Sequence, residues 1–126
     1  MKNETFKIIL INKSFDFSNN LIQFIAGLPS NQIFKVINDQ LLRSGLSIGA
    51  NIAEAQGGSS KNDFKNFIHH AYKSSIETRY WLALIDKNKF DINRATLNQL
   101  ISEVKELSKI LGSIVLTLKG KRILHS

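Results

Sequence analysis

An all-α protein, an antiparallel up-down-up-down four-helix bundle, is what this 126-residue sequence predicts. Three observations lead there. Apolar residues recur at three- and four-residue spacing through four long segments, and nowhere alternate as a half-buried strand would. The chain is punctuated at Pro29, Gly57-Gly58-Ser59-Ser60, Asp86 to Asn93 and the Gly120 tail, and hardly elsewhere. The connections are short, which forces successive helices to run antiparallel. The expected helices span about 5–26, 31–56, 61–86 and 93–119 of a single domain, each ~33–40 Å long at 1.5 Å per residue.

Phe6, Ile9 or Leu10, Phe17, Leu21, Phe24, Ile25 and Leu28 supply the stripe of the first segment. Gly27-Leu28-Pro29 ends it, because proline disfavours the helical conformation in the residue before it. Ser30 is the expected N-cap of the second segment. Its core stripe reads Ile33, Ile37, Leu41, Ser44, Ile48, Ile52 and Ala55. Gly45 and Gly49 interrupt that helix at about 1 kcal/mol each relative to alanine, and close approach of a neighbouring helix is the physical reason for them. Ser60 caps the third segment, and Asp63 in its first turn complements the helix dipole. Phe64, Phe67, Ile68, Ala71, Ser75, Thr78, Leu82 and Ile85 form its buried face. Asn93 caps the fourth, where Leu97, Leu100, Val104, Leu107, Leu111, Ile114 and Leu118 keep a near-regular bundle seam.

Composition narrows the classes of function. The chain has no cysteine, which removes disulfides and thiolate metal sites and fits a cytoplasmic location. No apolar run approaches the ~20 residues of a membrane span, and Phe6 to Ile11 is too short for a secretory signal. Seventeen Lys and Arg against ten Asp and Glu give a formal charge of +7. That balance favours a polyanionic partner, nucleic acid first.

The second segment organises the rest. Beside its core stripe runs a polar ridge of Gln40, Arg43, Ser47, Asn51 and Glu54, and away from it lies a second apolar surface of Leu42, Leu46, Ala50 and Ala53. A helix apolar on two sides needs two things to pack against: its own core and, by this reading, another copy of the chain.

Gln40-Leu41, Arg43, Ser47-Ile48 and Asn51-Ile52-Ala53-Glu54 also resemble the signature of the bacterial four helix bundle protein family, first noticed within intervening sequences of large-subunit rRNA genes. Leu42 and Ala55 depart from that signature. Gly57-Gly58, Phe64, Phe67, Ala71, Ser74-Ser75-Ile76-Glu77 and Pro29 extend the likeness in the right order, whereas Lys73 and Gln32 depart from it. The resemblance implies an antiparallel four-helix bundle, a tendency to assemble as a ring of five, and an RNA-associated role. The last follows the related accessory variability protein of diversity-generating retroelements, a basic pentamer that works with a reverse transcriptase and its RNA.

Four sets of side chains stand out as candidates. Arg43, Ser47, Asn51 and Glu54, with Ser74 and Glu77 on the third helix, read as a hydrogen-bond and ion-pair network, Arg43 pairing with Glu54 or Glu77. As a catalytic pocket they lack a nucleophile, a base and a metal. Lys61, Lys65, His69, Tyr72 and Arg79 share one face of the third helix, with Lys73 and Tyr80 at its margin, where cations interleaved with aromatics suit a phosphate backbone and stacked bases. Lys119, Lys121 and Arg122 make a second basic cluster. Tyr80, Trp81 and Leu84, with Leu42, Leu46, Ala50 and Ala53, are the expected subunit interface.

Metal and cofactor sites are not expected. Adjacent His69 and His70 point ~100° apart on a helix and cannot share one ion, and His125 stands alone. Gly57 to Lys61 lacks both the spacing and the strand of a nucleotide-binding loop. The reading is therefore a non-enzymatic homo-oligomer that binds RNA or a nucleoprotein, with no membrane and no small-molecule substrate. Its rival is a protein–protein scaffold whose positive charge is incidental.

Overall fold

A computed structural model describes residues 2–88 and 90–120, with side chains from Glu4 onward. Four helices make up the fold: α1 Lys2–Ala26, α2 Gln32–Gln56, α3 Lys61–Lys87 and α4 Arg94–Leu118. Each packs on two neighbours, α1 on α2 and α4, and α3 on α2 and α4, while the diagonal pairs do not touch among the described residues. That is the up-down-up-down bundle the spacing predicts. α2–α3 and α3–α4 are the closely engaged pairs, and α1 is the more lightly held helix.

The caps are local chemistry. Asn31 takes extended backbone angles and its side chain accepts from the Phe34 amide at 3.0 Å, so Asn31 caps α2 where Ser30 was expected. At α3 the Ser60 hydroxyl accepts from the Asp63 amide at 3.1 Å. The Asp63 carboxylate in turn takes the Ser59 hydroxyl and amide at 2.6 and 3.2 Å, a reciprocal clasp that closes the loop. Asn93 caps α4 through the Thr96 amide at 3.0 Å. Gly120 ends it with a φ of 85°, a backbone angle that favours glycine.

The core is a column of Leu, Ile and Phe. Leu10, Phe17, Leu21 and Phe24 of α1 share one buried cluster with Leu41, Ile48 and Ile52 of α2. Ile68, Leu82 and Ile85 of α3 meet Leu97, Leu100, Val104, Leu107 and Leu111 of α4. Each such side chain contributes about 1.5–3 kcal/mol on leaving water.

The stripes drawn from the sequence shift at their ends. Ile33, placed in the core of α2, is 60% exposed, and Phe34 is buried instead. The reason is a partner outside the helix: the Phe34 ring lies 4.6 Å from that of Phe90, in the α3–α4 connection. Phe6 and Ile9 of α1 are exposed, so its buried stripe starts at Leu10 and continues through Ser14, whose hydroxyl donates to the Ile11 carbonyl at 2.9 Å. In α4, Val115 is buried and Ile114 half-buried.

Gly45 and Gly49 hold α1 against α2, as their spacing suggested. A Cβ on Gly45 would overlap Leu21 Cδ2 and reach Phe17 Cε2 at 3.8 Å. One on Gly49 would lie 3.2 Å from Ser18 Oγ.

Candidate nucleic-acid interface

The α3–α4 side of the bundle collects cations. Lys61, Lys65, Lys73 and Arg79 are exposed on α3, and Lys105, Lys109 and Lys119 are exposed on α4. Lys61, Lys65 and Arg79 of the first set and Lys105, Lys109 and Lys119 of the second line the furrow between the two helices. None of these cations is in an ion pair among the described residues. Among the described residues, Asp86 is the one acidic side chain that lines the furrow, and it is held by Arg94. The carboxylates of α4 are directed away, to α1: Glu106 pairs with Lys13 at 2.9 Å, and Glu103 accepts from Asn20 at 3.1 Å. Charge is thus sorted by helix face.

The furrow is a chain of open hollows. One of about 530 Å³ is lined by Ile76, Arg79, Tyr80, Ala83, Asp86, Ile101 and Lys105, among others. The next, of about 570 Å³, shares Ile76, Arg79 and Lys105 with it and adds Tyr72, Lys109, Gly112 and Leu116. Beyond lie a smaller hollow at Lys65, His69, Leu118 and Lys119 and the cap region at Ser60 and Lys61. From Arg79 to Lys65 the furrow covers ~21 Å of helix axis.

Of the α3 residues singled out from the sequence, Lys61, Lys65, His69, Tyr72 and Arg79 line these hollows, Lys73 lines none of them, and Tyr72 changes role. Tyr72 is half-buried with its ring against Gly112, where an added Cβ would sit 3.0 Å from Cε1. Tyr80, which the sequence sets both at the margin of the basic face and among the subunit contacts, is 59% exposed and lines the furrow. Lys105 and Lys109 were missed. Their i, i+4 spacing is visible in the sequence, but only packing sets them opposite Arg79. Lys121, Arg122 and His125 lie outside the described residues.

The polar ridge forms, though not as an ion-pair network. The Arg43 guanidinium bonds to Gln40 Oε1 one turn back along α2, and Glu77 Oε2 accepts from the Trp81 indole at 3.0 Å, so neither acid proposed for Arg43 receives it. Glu54 is exposed. Small hydroxyls make the crossings. Asn51 donates to Ser47 Oγ at 2.9 Å, Ser47 meets Ser74 at 3.0 Å, and Ser44 meets Thr78 at 3.0 Å between α2 and α3. Ser75 and Ser108 join α3 to α4 at 2.9 Å.

The opposite side of the bundle is apolar. Leu42 and Leu46 of α2 are half-buried, while Ala50 and Ala53 are exposed. Alongside runs a series the sequence reading missed, Ile8, Phe15 and Ile22 of α1, with Phe15 72% exposed. Seven-residue spacing was its signal. Ser18, within that series, is the α1 side chain that faces Gly49, which sets the two surfaces side by side. Trp81 and Leu84 are half-buried on α3, Trp81 packed against the core.

No described helix is long and apolar enough to cross a membrane. Among the described residues no three His, Cys, Asp or Glu side chains gather as metal ligands.

Fold and surface together define a class, a small antiparallel helical bundle whose basic and apolar sides face apart. The chain belongs to the family of 23S rRNA-intervening sequence proteins, whose model it matches over residues 7–113. It is similar to a crystal structure of a protein with unknown function from the S23 ribosomal protein family of Bacteroides thetaiotaomicron. The two are 36% identical with a TM-score of 0.76, over 84% of this chain and 97% of that one. No curated protein matches the chain.

Proposed function

We propose that this protein is a cytoplasmic, non-enzymatic assembly module. Copies of the chain associate through the apolar α1–α2 side, and the α3–α4 furrow of each binds RNA or a nucleoprotein. The observation that carries the reading is the sorting of charge: exposed cations from two helices converge on one furrow whose lone carboxylate is already neutralised by Arg94. Phosphate backbones bind such a surface by releasing counterions, and affinity then falls steeply with salt. The resemblance to ring-forming relatives supports a ring of five. Repetition around a ring would let modest patches act together through effective concentration.

A filter-binding assay with a structured RNA across a salt series tests the RNA half. Absence of binding at low salt, or binding indifferent to salt, refutes it. Sedimentation at micromolar concentration tests the assembly half, and a monomer refutes that.

A second reading, a protein scaffold with incidental charge, draws support from Ile76 and Leu116, exposed apolar groups on the walls of the furrow. It predicts that Lys65→Glu with Arg79→Glu leaves RNA-independent function intact.

A further inference from the structure

Duplex and unpaired RNA ask different things of a cationic furrow. An A-form duplex offers phosphates and 2′-hydroxyls outside and keeps its base faces stacked within. It can satisfy lysines but cannot cover an aromatic or aliphatic wall. An unpaired strand can do both, because every base has a face to stack.

The α3–α4 furrow carries both kinds of group, interleaved. Tyr80 is 59%, Leu116 56% and Ile76 42% exposed; Ile76 lines both joined hollows, Tyr80 the first and Leu116 the second. Arg79 and Lys105 line both hollows, and Lys109 the second. Packed helices stand about 8–10 Å apart, so the furrow between them admits a base or a single strand, whereas a duplex would rest on its rim. Large apolar groups left in water beside unpaired cations are a cost unless something covers them. Charge complementarity requires that cover to be anionic.

Resting on the RNA reading above, we infer that the α3–α4 furrow is a site for unpaired RNA, with a base on Tyr80 and Ile76 and flanking phosphates on Arg79, Lys105 and Lys109.

The test is fluorescence anisotropy of the full chain with a short unstructured RNA strand and with the same strand annealed to its complement, across a KCl series. The free strand binds more tightly than the duplex. Tyr80→Ala weakens strand binding by about tenfold, leaves the salt slope unchanged and barely alters duplex binding. Tyr80→Phe, which keeps the ring, retains the wild-type affinity and controls for folding. Lys105→Ala with Lys109→Ala lowers the salt slope for the strand by about 1.4.

Duplex binding equal to strand binding overturns the inference alone, as does a Tyr80→Ala protein that binds the strand as wild type does. Displacement of the strand by poly-glutamate as effective as by unlabelled RNA overturns it too, and makes the furrow a site for acidic protein. Failure of both RNAs to bind at the lowest salt overturns the RNA reading itself, and the inference with it.

Discussion

Gly45 and Gly49 are one turn apart on the same helix, so alanine at either gains the same intrinsic helix propensity, about 1 kcal/mol. Their surroundings differ. The Cβ of Gly45→Ala would overlap Leu21 Cδ2 with Phe17 beside it, and both side chains are fully buried with nowhere to turn. Overpacking of that kind costs about 1–3 kcal/mol. At Gly49 the nearest atom is Ser18 Oγ at 3.2 Å, on a half-buried side chain that can rotate away. Gly49→Ala should therefore be neutral or stabilising by up to about 1 kcal/mol, and Gly45→Ala should fall below it by about 2 kcal/mol. In urea melts followed by far-UV circular dichroism, that difference separates the midpoints by on the order of 1 M. The melts are run at one fixed protein concentration, because association would add its own stabilisation. Combining Gly45→Ala with Leu21→Ala should remove the overlap, so that in the Leu21→Ala background the alanine at position 45 becomes favourable. Equal midpoints for the two single variants, or no rescue in the double, would refute the contact between α1 and α2 described above.

Phe34→Ala should cost about 3–5 kcal/mol. A double-mutant cycle with Phe90→Ala should return a coupling of about 1 kcal/mol from the tilted ring contact, and a coupling near zero would count against that contact. Ser60→Ala should lower stability by about 1 kcal/mol through loss of the α3 cap, read from the same urea melts. On the proposed assembly through the α1–α2 side, Phe15→Asp or Leu46→Asp should sediment as a folded monomer where the unaltered chain sediments as an oligomer, with helical content unchanged by circular dichroism. An oligomer intact in both variants would remove the α1–α2 side as the interface.

Much of the fold is written in spacing alone, because a helix that must bury one side repeats its apolar residues every three or four positions whatever its partner. What spacing could not supply was phase at the ends and pairing across space. Ile33 and Phe34 are both apolar and adjacent; the choice between them was made by Phe90, far along the chain, which no periodicity within α2 reveals. For Arg43 the sequence offers Glu54, about three turns away, or Glu77 on another helix. Arg43 takes Gln40 instead, a neighbour reached with little loss of side-chain freedom. Half of the basic furrow was legible, since Lys61, Lys65 and Arg79 share one helical face. The α4 half was hidden, as Lys105 and Lys109 gain meaning only when α4 lies beside α3. Ile8, Phe15 and Ile22 lie outside the stripe that α1 turns to the core, and periodicity within one helix names no partner for a second stripe.

The buried hydroxyls carry one more consequence. Leucines and isoleucines stacked along two helices would tolerate sliding α3 past α2 by one turn, about 5.4 Å, with little change in buried area. Ser44 on Thr78 and Ser47 on Ser74 oppose it, since a slip of one turn can re-form at most one of those two α2–α3 contacts, and Ser75 on Ser108 fixes α3 against α4 in the same way. Those small polar contacts act as notches on a ratchet. Replacing them by alanine and valine should give a chain still helical and resistant to heat, yet with broadened amide resonances as neighbouring alignments exchange; sharp, singly dispersed signals from that variant would show that side-chain shape alone sets the alignment.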